Sequence, residues 1–245
     1  MNFLILLAMI GIIALVILPF VYLGMKTPTT HPGISQQILA PGYRRYTIAV
    51  PESYTGEQPV PLVLALHFAG HGIPYLGEQI LTGLVEPALR ELGAVIVAPD
   101  CPAENWTHPL SEQFIFELLD NLQARFNLDP GRILVTGYSL GGEGTWHFAG
   151  RFPGRFTAAI IMAGRPPEDY LTVDWQIPLL VIHGRQDERL PLHNTKEAVR
   201  RLEEKSVDIQ LRILENVSHH ETQYFVGALR NATPWLIERW EKPTK

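Results

Sequence analysis

The chain is 245 residues long, with 20 Lys and Arg against 25 Asp and Glu, a formal net charge of −5, and 46% hydrophobic residues. That balance offers no basic surface for nucleic acid, and the single cysteine, Cys101, excludes an intramolecular disulfide. About 205 residues follow position 40, enough for one domain with a sizeable core.

Residues 3–25 carry no charged side chain, and fifteen of them are Leu, Ile, Val or Phe. As a helix they would span about 34 Å, against about 30 Å for a bilayer core. There is no basic n-region and no small-x-small cleavage site, so the expectation for 1–26 is an uncleaved transmembrane anchor and not a signal peptide. Lys26 alone flanks the segment, which leaves the side of the following domain open. Residues 27–40 open on Thr27-Pro28-Thr29-Thr30-His31-Pro32-Gly33 and read as an extended spacer. The folded domain is expected over 41–245. Its three N-x-S/T sequons, at Asn105, Asn216 and Asn231, do not establish secretion.

Within that domain, apolar runs alternate with helix-like stretches. An antiparallel start is expected at 43–50, then strands at 60–66, 95–98, 133–136, 158–163, 179–182 and 208–214. Helices are expected at 77–92, 111–126, 142–151 and 195–205, with a closing helix at 223–240. Short apolar runs separated by helices imply an α/β domain whose mostly parallel sheet is covered on both faces. Cys101, after the strand at 95–98, reads as a small packing residue.

The run 132–136 leads into Gly137-Tyr138-Ser139-Leu140-Gly141 and then into a helix. A strand, a tight turn and a helix are the context in which Gly-x-Ser-x-Gly becomes a nucleophile elbow, with Ser139 at its apex and the Leu140 amide facing a developing oxyanion. A serine hydroxyl needs a base to take its proton and a carboxylate to orient that base. Asp187 follows the strand at 179–182 on a loop at its carboxyl end, where open α/β sheets place their sites; Asp174 and Glu188 are less well placed. The strand at 208–214 leads into Glu215-Asn216-Val217-Ser218-His219-His220, where His219 is the candidate base and His220 its alternative. His67 and His71, four apart on a glycine-containing loop, lack a third ligand for a metal.

The order Ser, Asp, His resembles that of the α/β-hydrolase superfamily. Asn127-Leu128-Asp129-Pro130-Gly131-Arg132-Ile133 followed by Gly137-Tyr138-Ser139-Leu140-Gly141-Gly142-Glu143-Gly144 is similar to the compact carboxylesterase branch, including its phospholipase/carboxylesterase, dienelactone-hydrolase-like and feruloyl- or polyhydroxybutyrate-esterase-like members. The likeness extends over about 43–240. It implies an α/β-hydrolase fold and makes 41–245 a catalytic domain that cleaves carboxylic esters through an acyl-enzyme. No metal or organic cofactor is implied, the substrate is a small-molecule ester, and the bilayer is met only through the N-terminal helix. The resemblance also implies a second oxyanion donor from Ala69 or Phe68, where many relatives carry a glycine in place of Phe68. Asn216 and Ser218 likewise stand where relatives carry glycine. Trp106, Tyr138, Tyr75 and Phe68 are candidates to line a substrate pocket. The connection 164–178 is too short for a large lid domain, which points to an open site and short acyl chains. A peptidase or thioesterase with the same triad, or a catalytically silent tethered binding module, are the alternatives; the oligomeric state is open.

Overall fold

A computed structural model describes residues 30–40, 44–70 and 72–241. The expected anchor at 1–26, the start of the spacer and His71 lie outside the described residues. Among the described residues, no helix is long and apolar enough to cross a membrane.

Eight strands form one sheet: β1 (Gly33–Leu39), β2 (Arg44–Val50), β3 (Val60–Leu66), β4 (Val95–Pro99), β5 (Leu128–Tyr138), β6 (Ala158–Met162), β7 (Leu179–Gly184) and β8 (Ile209–Leu214). Their spatial order is β1-β2-β4-β3-β5-β6-β7-β8. The β1–β2 and β2–β4 pairings are antiparallel and the others parallel. Period-2 alternation divides each buried strand between two apolar layers. Leu62, Leu64 and Leu66 of β3 pack into one layer, and Val63 and Ala65 into the other.

The first layer is covered by α2 (Pro109–Arg125), α3 (Leu140–Arg151) and α4 (Leu192–Glu204), which contribute Phe114, Leu118, Trp146, Phe148, Val199 and Leu202. On the other face lie α1 (77–92), α5 (Gln223–Arg230) and α6 (Thr233–Glu241), with Leu81, Val85, Phe225, Leu229 and Leu236. Helix α1 contains a π-type turn at Leu81–Val85. The α/β architecture with helices on both faces therefore stands as expected.

Three local expectations are corrected. The stretch 33–39, expected as spacer, is strand β1. Its polarity hides it: Ile34 and Ile38 face outward, while Gln37 is buried and accepts from the Tyr46 hydroxyl (2.7 Å) and from Arg125 (3.0 Å). A buried amide whose oxygen is satisfied by a phenol and a guanidinium can take a core position. The helix after the elbow starts at Leu140 and not at 142. The closing helix is two helices, separated at Asn231 and Ala232. Between β6 and β7, residues 163–178 form turns and loop, with no helix.

Candidate active site

The elbow is positioned by main-chain packing. Strand β5 lies between β3 and β6, and the Ser139 amide donates to Met162 O at 3.0 Å. The Ser139 carbonyl then accepts from the Glu143 amide at 3.0 Å, which starts α3. Between them Ser139 adopts φ 57° and ψ −117°, a conformation that L-residues seldom hold and that functional turns store as strain. The two motif glycines are required by close approach. A Cβ on Gly141 would collide with the carbonyl of Leu66, and one on Gly137 with that of Gly141. The oxygen at the end of β3 occupies the space where either side chain would begin.

Asp187 and His219 reach the same end of the sheet on the loops after β7 and β8. Ser139 Oγ lies 2.9 Å from His219 Nε2, and His219 Nδ1 lies 2.8 Å from Asp187 Oδ2. A carboxylate only accepts, so Nδ1 carries the ring proton and Nε2 is left to accept from the serine. His219 is buried, whereas the His220 side chain is 71% exposed and lies 3.6 Å from Glu188. The Asp187 carboxylate takes the Arg189 and Leu190 amides on Oδ1, at 3.0 and 2.7 Å. Burial pushes its pKa up, but hydrogen bonds from His183 and His219 and from the Leu190 amide outweigh that and hold it well below the usual carboxylate range.

Several side chains other than Ser139, Asp187 and His219 hold the histidine loop. The Tyr138 hydroxyl donates to the His219 carbonyl. Glu188 Oε2 accepts from the His219 amide at 3.2 Å, and Glu221 Oε2 accepts from the Ser218 amide and hydroxyl at 2.8 and 2.9 Å. Asn216, standing where glycine was expected, adopts φ 56°, which Asn tolerates better than most residues. Gly184 is the glycine this loop requires, because its Cβ would collide with Val217 O. Only Glu221 carried a signal in the sequence, as a carboxylate three residues beyond a serine in a short loop.

The pocket candidates are corrected. Trp106 is fully buried and donates from Nε1 to His67 O at 2.9 Å, so it braces the loop after β3 and does not line a pocket. Tyr138 is 3% exposed, packs edge-on against Phe225 with ring centroids 5.0 Å apart, and serves the histidine loop. Its pKa is raised, first by burial and then by the Asp187 and Glu188 charges, which keeps the phenol a donor. Tyr75 is half-buried, and its amide donates to Asp100 at 2.6 Å.

The loop after β3 is also pinned through His67. Its Nε2 accepts from the Cys101 amide at 2.9 Å and its Nδ1 donates to Phe68 O at 2.5 Å, so both ring nitrogens are used within the protein. Phe68 is half-buried against the α1 layer and Ala69 is exposed; both amides remain candidates for the second oxyanion donor, beside that of Leu140 at the start of α3. Among the described residues, no group of three His, Cys, Asp or Glu side chains is placed to hold a metal.

The sequence model of the Dienelactone hydrolase family matches residues 14–223. Feruloyl esterase C of Emericella nidulans is 26% identical over 171 residues, 68% of this chain and 62% of that protein. A probable feruloyl esterase C of Aspergillus niger is 24% identical over 180 residues, 72% of this chain and 65% of that protein. The chain thus spans less than two thirds of the length of these relatives. A thermostable esterase superposes with a TM-score of 0.69 at 23% identity, covering 84% of this chain and 62% of that one. A fluorophosphonate-binding serine hydrolase of Staphylococcus aureus superposes with a TM-score of 0.67 at 17% identity, covering 84% and 99%. These structural likenesses establish the α/β-hydrolase fold.

Proposed function

The chain belongs to the dienelactone hydrolase family, and from that premise we propose that it is a serine hydrolase of carboxylic esters acting through Ser139, His219 and Asp187. The observation that carries this reading is the continuous hydrogen-bonded line from Ser139 Oγ through the His219 ring to a carboxylate, at 2.9 and 2.8 Å. Ser139 Oγ attacks the ester carbonyl as its proton passes to His219 Nε2. Asp187 stabilises the resulting imidazolium and keeps Nδ1 protonated. The tetrahedral oxyanion receives the Leu140 amide at the helix start and an amide of Phe68 or Ala69. His219 then delivers its proton to the leaving alcohol. Water, activated by the same ring, hydrolyses the acyl-enzyme at Ser139.

Feruloyl esterase is the name borne by the relatives above, which makes aryl-acyl esters one substrate class to try beside short aliphatic ones. Ser139 is half-buried and 163–178 forms a loop without an inserted domain, which supports an accessible cleft. The test combines a fluorophosphonate probe, peptide mapping of the label, and turnover of p-nitrophenyl esters of increasing length, methyl ferulate, a thioester and a peptide. Labelling at Ser139 with preferential ester turnover is expected. No labelling, or labelling elsewhere, overturns the triad. A dominant thioester or peptide turnover moves the reading to the alternatives named above.

Residues 3–25 are proposed, on their unbroken apolar composition, to anchor the chain in a bilayer. Resistance of the full chain to alkaline carbonate extraction, lost when residues 1–25 are removed, is the expected result. A mature protein beginning near Lys26 would show cleavage instead.

A further inference from the structure

His183 has no exposed surface, and both of its ring nitrogens are engaged. It sits near the end of β7, in register with Ile213 of β8. Its Nε2 lies 2.7 Å from Leu190 O and 3.3 Å from Asp187 Oδ2, and its Nδ1 lies 3.2 Å from Thr195 Oγ1 on α4. A carbonyl and a carboxylate only accept, so Nε2 carries a proton that the two share, and the Thr195 hydroxyl is free to donate to Nδ1. Asp187 Oδ2 therefore lies between two imidazoles, His183 on the inner side and His219 on the outer.

We infer that His183 is a positioning residue for the proposed reaction, acting through Asp187 Oδ2 to hold the carboxylate in line with His219. The inference rests on the triad reading. The amides of Arg189 and Leu190 fix Oδ1 alone, which leaves rotation about the Cβ–Cγ bond to carry Oδ2 out of the imidazole plane. The His183 N–H opposes that rotation. By bonding Leu190 O as well, it ties the carboxylate to the same turn that supplies the Oδ1 donors. An apolar side chain of equal size would fill this part of β7 but leave the half-buried Leu190 carbonyl without its ring donor, at a cost. The Thr195 hydroxyl completes the arrangement by favouring the Nε2–H tautomer. His183 is shut off from solvent and touches no substrate, so its influence reaches the serine only through Asp187 and His219.

A double-mutant cycle separates this role from general bracing of the turn. His183→Leu is expected to lower kcat by about 10- to 100-fold with KM nearly unchanged, short of the ~10⁴ lost when a triad carboxylate no longer orients its histidine. His183→Gln, which keeps a donor near Nε2, should recover most of that loss. In an Asp187→Ala background, His183→Leu should cost less than about twofold, because the group it acts through is gone. Losses that multiply across the two backgrounds, or a His183→Leu enzyme within about twofold of wild type, overturn the inference. Should His183→Leu not fold, Thr195→Val takes its place in the same cycle, with a smaller kcat loss that again vanishes beside Asp187→Ala. Wild type and Ser139→Ala are assayed alongside. Equal turnover by those two overturns the triad and this inference together, whereas multiplying losses with an inactive Ser139→Ala overturn this inference alone.

Discussion

Ser139 is set in place by main chain and glycine: its amide bonds Met162 O, its carbonyl starts α3, and Leu66 O fills the space beside Gly141. The Asp187–His219 pair is set in place by side chains: His183, Glu188, Glu221 and Tyr138 each donate to or accept from the two loops. The elbow has almost no freedom to adjust, because any added atom meets a backbone that belongs to the sheet. The loops have many supports of moderate strength, and loss of one leaves the others. Perturbation should therefore act abruptly on the serine side and by degrees on the acid–base side.

The largest effect tests the chemistry without disturbing either support. Ser139→Ala should reduce kcat by about 10⁴ to 10⁶ while the melting temperature stays essentially unchanged, since only a hydroxyl is removed. Residual activity above about a tenth of wild type would remove the serine from the mechanism.

Next comes the abrupt side. Gly141→Ala should fail to yield folded protein, because its Cβ collides with the Leu66 carbonyl at the centre of the sheet. A folded variant with a wild-type circular dichroism melt would show that the elbow is more compliant than its packing implies.

The graded side should answer differently. Glu221→Ala removes the acceptor of the Ser218 amide and hydroxyl and should lower kcat by about three- to tenfold in a protein that still folds. Full inactivation would place the loops in the same brittle class as the elbow.

A pH effect on stability belongs to the serine side. His67 holds the loop after β3, and burial lowers its pKa from the ordinary 6.5. Between the lowered value and 6.5 the unfolded chain binds more protons than the folded one, so stability rises with pH through that window and is lost as pH falls below about 6.5. Melting temperatures should decline on acidification through this range. His67→Asn should flatten the decline, and an unchanged slope would remove His67 as its source. Smallest of all, His220→Ala should change kcat by less than about threefold, as expected for an exposed ring that pairs with Glu188 and touches the His219 ring only edge-on; an inactive variant would transfer the base role to it.

The same contrast explains what could be read from the amino-acid sequence. Glycines demanded by close approach stand at fixed spacing, so Gly137, Ser139 and Gly141 declare themselves, and apolar runs locate β3 to β7 because the inner parts of those strands are buried on both faces. Hydrogen-bonded supports leave little mark. His183 directly follows the apolar run at 179–182 with nothing in the sequence to show its partners, and Glu188 stands out only as a rival to Asp187. Trp106 and Tyr138 looked like pocket aromatics because a polar ring atom does not reveal whether its partner is a ligand or the carbonyls of His67 and His219. Strand β1 escaped because its outward face is the apolar one and its inward Gln37 depends on Tyr46 and Arg125, distant in sequence.

Strand β1 also determines how the domain would bear load. It is antiparallel to β2 over seven residue pairs, from Gly33 with Val50 to Leu39 with Arg44, at the outer edge of the sheet. A pull along the strand axis through the residues before Gly33 would strain those pairs together, in shear, whereas a pull across the axis would part them one after another. Under either load the first interactions to yield would lie at the opposite edge of the sheet from β7 and β8, the strands whose loops carry Asp187 and His219.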